Sequence, residues 1–167
     1  FVLSARRGDK DNGCITNTAI QVTTDPNRIV IAVNKGNYTH DMVKETGRFT
    51  VSILSEEADF ELFKRFGFQS GRDVDKFAGF AHTGKDADGI PYVTQGANAW
   101  LSCKVVTATD LGTHTLFLAD VLDGGVLSSA PSATYSYYQA HIKPKPAASA
   151  APSEKKRWIC TVCGYVY

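Results

Sequence analysis

Two of the four cysteines, Cys160 and Cys163, are separated by two residues and followed at once by Gly164. This Cys-x-x-Cys-Gly sequence places two thiolates at the spacing of metal ligands, and the glycine lets the chain turn so that backbone N–H groups can point at the sulfurs. The pair therefore predicts a metal site, with a zinc ribbon or a dithiol redox motif as alternatives. Cys14 and Cys103 stand alone in apolar, strand-like surroundings and are expected to pack as small apolar residues.

A second candidate for chemistry is the uncharged polar stretch over residues 12–24. It combines strand-forming isoleucine, valine and threonine with side-chain amides and hydroxyls. Because each polar group left unpaired in an apolar core costs roughly 1–3 kcal/mol, such a strand is poorly suited to simple burial. We expect a strand that lies against a flat, heteroatom-rich ligand. The alternative is an ordinary edge strand or loop.

The segment around Lys35 predicts an anion site. Residues 28–33 indicate a buried strand, Thr39 is a suitable N-cap for a helix over residues 39–46, and Gly47 stands where that helix would end. A helix N-terminus offers free N–H groups, and Lys35 adds a full positive charge, so a phosphate would fit here. The alternative is an ordinary capped helix with a solvated lysine.

His114 stands at the turn of a long hairpin. Residues 97–109 and 115–122 predict two strands joined by a turn over residues 110–114, and the glycine pair at 124–125 predicts a further turn. A histidine in this position is either a surface turn residue or a functional group that two rigid strands hold in place.

The remaining patterns decide the class of fold. Residues 1–5 predict a strand that leads through a charged turn over residues 6–11 into the polar stretch, residues 48–54 predict a strand, and residues 58–66 predict an amphipathic helix. Many strands, long hairpins and two clear helices indicate a mainly β protein with peripheral helices, built as a closed or split β-barrel. No GxGxxG motif follows a strand, and no Ser-His-Asp order or HExxH zinc motif stands out.

Composition limits the classes of partner. The chain has 167 residues, a net charge of +1, 43% hydrophobic and 21% charged residues, which is typical of a soluble globular protein. The near-neutral charge gives no support for a nucleic-acid partner. No apolar run approaches the roughly 20 residues of a membrane span. Few cysteines and no dense disulfide framework favour a reducing, cytoplasmic location.

Four separated segments resemble the flavin reductase-like family, the FMN-binding split-barrel proteins. They are residues 12–23, 32–40, 71–77 and 112–117, and the resemblance covers residues 1–142. It implies a homodimer with FMN in a groove near the subunit interface and NAD(P)H as electron donor. The implied ring contacts are Thr16, Asn17 and Thr18; the implied phosphate ligands are Asn34, Lys35 and Thr39; and His114 would place the ring or the nicotinamide.

After residue 142 the composition changes. Residues 143–156 are rich in proline, alanine, serine and lysine and predict a linker. Residues 157–167, with Trp158 before the cysteine pair and Gly164-Tyr165-Val166-Tyr167 around its end, resemble the start of rubredoxin. The resemblance implies one iron held by four cysteines, of which Cys160 and Cys163 would be two and the others lie outside this sequence.

Together the two resemblances imply an electron-transfer oxidoreductase. Electrons would pass from NAD(P)H through FMN to the tethered iron, and then to an acceptor protein such as a flavodiiron oxygen or nitric oxide reductase. One alternative is a flavin reductase that releases reduced FMN to a partner enzyme. Another is a non-enzymatic flavin-binding module with a zinc-bound tail.

Overall fold

The computed structural model describes residues 1–144, which fold mainly as β-structure. The strands are β1 Val2–Arg7, β2 Lys10–Ile15, β3 Ala19–Thr24, β4 Asn27–Asn34, β5 Arg48–Leu54, β6 Thr83–Lys85, β7 Pro91–Val93, β8 Ala97–Asp110 and β9 His114–Val126. The helices are α1 Tyr38–Thr46, α2 Phe60–Gly67 and α3 Tyr135–Tyr137, the last continuing as a π-helical turn, Tyr138–Ile142. The mainly β class with peripheral helices is therefore confirmed.

Seven strands form one antiparallel sheet in the order β2-β1-β5-β8-β9-β4-β3, and β6 pairs with β7 separately. Strands β2 and β3 lie at opposite edges of this sheet, yet only residues 16–18 join them. An extended chain spans at most about 3.6 Å per residue, so the sheet must curl until its two edges approach each other. The result is a barrel that is split between β2 and β3.

The core lies in two clusters. Inside the curled sheet, alternating residues of β4 and β9 point inward, among them the buried Ile29, Ile31, Val33, Phe117 and Ala119. A second cluster lies beneath α2, where its buried face packs on the sheet. Its members include Val2, Leu54, Leu62, Phe63, Phe66 and Val93. Helix α2 therefore covers the barrel next to the split edge.

Several boundaries follow the sequence patterns closely. Strand β5 spans residues 48–54 as expected, and its period-two pattern places Phe49 and Val51 in the core. Helix α2 starts one residue after Asp59, whose carboxylate accepts a hydrogen bond from the Leu62 N–H at 2.9 Å. Gly47 ends α1 with a φ of 65°, a left-handed conformation that glycine adopts without steric penalty.

Two expectations about the first 24 residues are wrong in detail. The polar stretch over residues 12–24 is not one strand, because it breaks at residues 16–18 to cross from one sheet edge to the other. The charged residues 6–11 do not form a long turn. Arg6 and Asp11 face each other across the β1–β2 ladder, with a side-chain ion pair at 3.3 Å, and only Gly8-Asp9 forms the turn.

Three further expectations also change. The N-cap of α1 is Asn37 and not Thr39, because the helix begins at Tyr38 and Thr39 lies buried in its first turn. His114 opens β9 and does not lie within the preceding turn. Gly124 and Gly125 continue β9 and do not form a turn: they run beside Trp100, and a Cβ on Gly125 would come within 2.8 Å of the Trp100 Nε1.

Candidate functional site

A cavity of about 780 Å³ opens where the two edges of the sheet meet, and we call it the split-edge cavity. Its walls come from the end of β2, the link over residues 16–18, the end of β4, the start of β9, α2 and α3. Five of the residues singled out in the sequence line it: Thr16, Asn17, Thr18, Asn34 and His114. Its volume lies within the roughly 300–1,000 Å³ of ordinary ligand cavities.

In the link over residues 16–18, the Thr16 and Thr18 hydroxyls are hydrogen-bonded within the protein, whereas the Asn17 amide is free of partners among the described residues. The Thr18 hydroxyl donates to the Ala32 carbonyl at 2.9 Å and accepts from the Ala32 N–H at 3.1 Å. It also lies 3.0 Å from the Thr16 hydroxyl. The exposed Asn17 side chain makes no hydrogen bond to any other described residue, so its amide can serve a ligand.

The loop after β4 supplies further amides. The Asn34 Oδ1 accepts a hydrogen bond from the Gly36 N–H at 2.8 Å, which leaves the Asn34 NH₂ group as a donor at the cavity. Asn37, which the sequence did not single out, also lines the cavity as the N-cap of α1. An asparagine at an N-cap is the pattern that could have identified it.

Lys35 lies beside the split-edge cavity and not in its lining. Its ammonium donates to both carboxylate oxygens of Asp110, at 2.6 and 2.7 Å, and its backbone N–H donates to the Thr113 carbonyl at 3.0 Å. The hydrogen bonds from Lys35, and next from the Gly112 N–H, hold the pKa of Asp110 below its ordinary value. Lys35 therefore ties the loop after β4 to the β8–β9 turn.

Thr39 is also absent from the cavity lining. It is completely buried, and its hydroxyl accepts a hydrogen bond from the Asn12 Nδ2 at 2.9 Å. Asn12 in turn fills the space beside Gly71, so a Cβ on residue 71 would collide with the Asn12 side chain. Thr39 thus joins α1 to β2, and its contact with a phosphate stays a prediction that this arrangement does not favour.

His114 is half-buried in the cavity wall. It stands opposite Asn34 in the β4–β9 register, so the two side chains come from neighbouring strands at the same height. The His114 Nδ1 lies 2.9 Å from the Thr113 hydroxyl. The ring is therefore held by its neighbour while His114 contributes to the cavity lining.

Aromatic residues near the cavity were not predicted as site residues. Phe68 and Tyr135 line it while 65% and 64% exposed, and Tyr138 packs on Phe63 with ring centroids 4.5 Å apart. Exposed aromatic rings beside amides provide flat apolar surface for a flat ligand.

The lining of the split-edge cavity contains no Asp, Glu, Lys or Arg. Burial raises the pKa of the Cys14 thiol, so Cys14 stays protonated at neutral pH and behaves as the packing residue expected from the sequence. Neutral amides, one histidine and apolar walls suit a flat heteroaromatic molecule, and Lys35 directly follows Asn34 of this lining.

Residues 71–77 support the site from behind. Arg72 donates to the Asp41 carboxylate at 2.6 Å and lies over the Tyr38 ring, which fixes the start of α1. The Lys76 ammonium donates to the Gly13 and Phe66 carbonyls, both at 2.9 Å, which joins β2 to α2. Residues 71–77 therefore hold α1, β2 and α2 in place, although they do not line the cavity.

A curled antiparallel sheet with a neutral cavity at its split edge defines a split-barrel protein. The flavin reductase like domain matches residues 1–145. The chain belongs to the flavin reductase-like family.

Among the helices of the described residues, none has the length and apolar character needed to cross a membrane.

Individual relatives point the same way. The chain is 40% identical to a ferric-chelate reductase (NAD(P)H) of Archaeoglobus fulgidus, over 87% of this chain and 85% of the relative. It is 35% identical to a high molecular weight rubredoxin of Moorella thermoacetica, over 100% of this chain and 77% of the relative. Its fold matches an FMN-binding protein of Thermus thermophilus with a TM-score of 0.68 and 25% identity, over 75% and 68% of the two chains.

The predicted metal ligands Cys160 and Cys163 lie outside the described residues. Within residues 1–144, no group of three or more His, Cys, Asp or Glu side chains is placed to hold a metal ion. The two cysteines of this part, Cys14 and Cys103, are both buried and free. The metal site therefore stays a prediction from the sequence.

Proposed function

We propose that this protein is an NAD(P)H-dependent oxidoreductase that binds FMN in the split-edge cavity. The observation that carries the proposal is the cavity itself, where Asn17, Asn34 and His114 meet on a neutral, partly aromatic wall. The similarity to an FMN-binding protein and to an NAD(P)H ferric-chelate reductase supports the cofactor and the electron donor.

The proposed role of each residue follows from which of its hydrogen-bonding groups are unpaired within the described residues. FMN, when bound, would accept hydride and pass on single electrons, so the protein has only to bind and orient it. The Asn17 amide hydrogen-bonds the ring, while Thr16 and Thr18 hold that link of the chain in place through their own hydrogen bonds. His114, which pairs with Asn34 in the β4–β9 register, places the ring or the nicotinamide.

The phosphate end of FMN would meet the loop after β4. The Asn34 NH₂ group and the Asn37 side chain face the cavity, and the Lys35 ammonium stands beside it. Because Lys35 is already paired with Asp110, the phosphate must compete with that carboxylate. FMN would accordingly be held by several modest contacts and not by one dominant ion pair.

We further propose that two copies of the chain form a homodimer. Strand β3 is an edge strand whose second through sixth residues are exposed, and Ile20 and Val22 are 58% and 47% exposed on it. An uncharged edge strand with exposed β-branched residues is a ready pairing surface. Because β3 follows the link over residues 16–18, a partner docked there would lie near the cavity.

The likeness to a high molecular weight rubredoxin supports the rest of the electron path. We propose domains at residues 1–142, 143–156 and 157–167, a cytoplasmic location, and an iron bound by Cys160, Cys163 and two cysteines beyond this sequence. A linker of this length gives an effective concentration in roughly the millimolar range. Electrons would leave the iron for a separate acceptor protein, such as a flavodiiron oxygen or nitric oxide reductase.

A binding titration tests the cofactor proposal. We expect FMN to bind the protein in a one-to-one ratio, and Asn17→Ala to weaken binding about fivefold, as the loss of one hydrogen bond of roughly 1 kcal/mol predicts. Gln69→Ala, at an exposed residue outside the split-edge cavity, is the matched control. Equal FMN affinity in Asn17→Ala and the wild type would remove Asn17 from the site.

Metal analysis of the protein that contains the complete tail tests the acceptor side. Iron with a reversible one-electron couple supports the proposed path. Zinc would instead favour a flavin-binding module with a zinc-bound tail. Release of reduced FMN into solution at each turnover would favour a flavin reductase that supplies a partner enzyme.

A further inference from the structure

Lys76 is the one Lys, Arg, Asp or Glu that is buried within residues 1–144, with 4% of its surface exposed. Its ammonium donates to the carbonyls of Gly13 and Phe66, each at 2.9 Å. No carboxylate of the described residues lies within 4.0 Å of it, and its neighbour Asp75 instead accepts hydrogen bonds from the N–H groups of Phe77 and Ala78. The charge of Lys76 is thus solvated by dipoles alone.

The two carbonyls belong to two walls of the split-edge cavity. Gly13 precedes Cys14 on β2, and Phe66 precedes Gly67 at the end of α2; Cys14 and Gly67 both line the cavity. The walls are closely packed at this point, because a Cβ on Gly13 would come within 3.1 Å of the Phe66 ring. Lys76 therefore places a positive charge directly behind the cavity wall.

A purely structural role does not require this charge. An ion removed from water without an ionic partner carries a large desolvation penalty, which an apolar side chain of similar length would avoid. Consistent with that penalty, burial lowers the pKa of the Lys76 ammonium. In a water-poor surrounding, however, the same charge acts over longer distances than an exposed one.

No Lys, Arg, Asp or Glu side chain lines the split-edge cavity. Transfer of a hydride from NAD(P)H brings two electrons and one proton to the bound flavin and leaves the nicotinamide oxidised. The flavin thereby gains one negative charge. No lysine or arginine in the lining balances this charge, but a preorganised positive charge behind the wall can.

We propose that the buried Lys76 ammonium raises the reduction potential of the flavin bound in the split-edge cavity by stabilising its reduced, negatively charged form. Lys76 does not line the cavity. Its charge acts on the flavin across β2 and α2, so Lys76 is a positioning residue and not a catalytic one. This inference rests on the proposed FMN site and adds a residue that controls how readily that site accepts electrons.

The direct test compares Lys76→Met with the wild type, both loaded with FMN, by spectroelectrochemical titration. We expect a more negative midpoint potential, equivalent to at least a tenfold lower affinity for reduced relative to oxidised FMN. Lys64→Met is the matched control, because Lys64 is an exposed lysine on α2 and should leave the potential unchanged. An unchanged potential in a folded, FMN-binding Lys76→Met protein would overturn the proposal.

Two further measurements cover a folding failure of that variant. Lys76→Gln keeps N–H donors for the carbonyls but removes the charge, and it should show the same direction of shift. In the wild type, NMR of labelled lysine should show the pKa of Lys76 rising when the bound flavin is reduced, and an unchanged pKa would contradict the proposal. Absence of FMN binding to the wild type would instead refute the cofactor site itself.

Discussion

At the scale of single residues, the pairing of Lys35 with Asp110 bears directly on the proposed phosphate contact. The two side chains come from the loop after β4 and the end of β8, and Asp110 is 71% exposed. Exposed ion pairs contribute little, because water and salt screen the two charges. The pair is therefore weak enough to open, yet it reduces the positive charge that Lys35 can offer to a ligand.

We predict that Asp110→Asn strengthens FMN binding about two- to fivefold, because it frees the Lys35 ammonium for the phosphate. Lys35→Met should weaken FMN binding by a similar factor. Riboflavin, which has the ring without the phosphate, is the control ligand, and its affinity should not change in either variant. Parallel changes for FMN and riboflavin would show that Lys35 affects the cavity as a whole and not the phosphate.

At the scale of elements, α2 both closes the core and lines the cavity, and two of its phenylalanines separate these tasks. Phe66 is completely buried and packs against Phe77 and Phe80. Phe68, at the C-terminal end of α2, is 65% exposed and lines the split-edge cavity. A phenylalanine is thus part of the core at position 66, while the phenylalanine two residues later is exposed in the cavity lining.

We predict that Phe66→Ala lowers the free energy of unfolding by about 3–5 kcal/mol, because it removes a fully buried aromatic ring. Phe68→Ala should change it by less than about 0.5 kcal/mol while weakening FMN binding. Urea titration and an FMN binding assay measure the two effects on the same proteins. A large loss of stability in Phe68→Ala would mean that this ring belongs to the core.

These elements show what the sequence pattern can predict. Helix α2 follows from its amphipathic pattern. Strand β5 lies at the predicted residues, but the fold buries Thr50 and Ser52 as fully as Phe49, which its alternating pattern did not indicate. The break at residues 16–18 does not follow from a local pattern, since it depends on the curl of a seven-stranded sheet that brings β2 near β3. The polar residues were therefore identifiable, but the crossing between sheet edges was not.

The site was harder to predict for the same reason, because its side chains form hydrogen bonds with residues that are distant in the sequence. Nothing local indicates that Lys35 would meet Asp110 or that Thr39 would meet Asn12, because these contacts form only when separate strands and a helix come together. Lys76 is a further case: in sequence it is one charge among several in a polar segment. Only the fold places its ammonium behind the cavity wall.

At the scale of the whole molecule, the edge strand β3 is the surface on which we expect assembly. We predict that Val22→Asp shifts the protein from dimer to monomer, because a charge at the centre of an edge strand opposes pairing. Light scattering after size-exclusion chromatography measures the mass, and Gln69→Asp, at an exposed residue away from β3, is the control. A monomeric wild type, or a Val22→Asp protein that remains dimeric, would remove β3 as the interface.

We propose that electrons enter at the FMN of the split-edge cavity and leave through the tail. Anaerobic addition of NADH to FMN-loaded protein with its complete tail tests this path, with absorbance followed over time and NADPH in a parallel sample. We predict that the flavin bleaches first and that the iron centre is reduced afterwards. A flavin that stays oxidised with both donors would contradict the account.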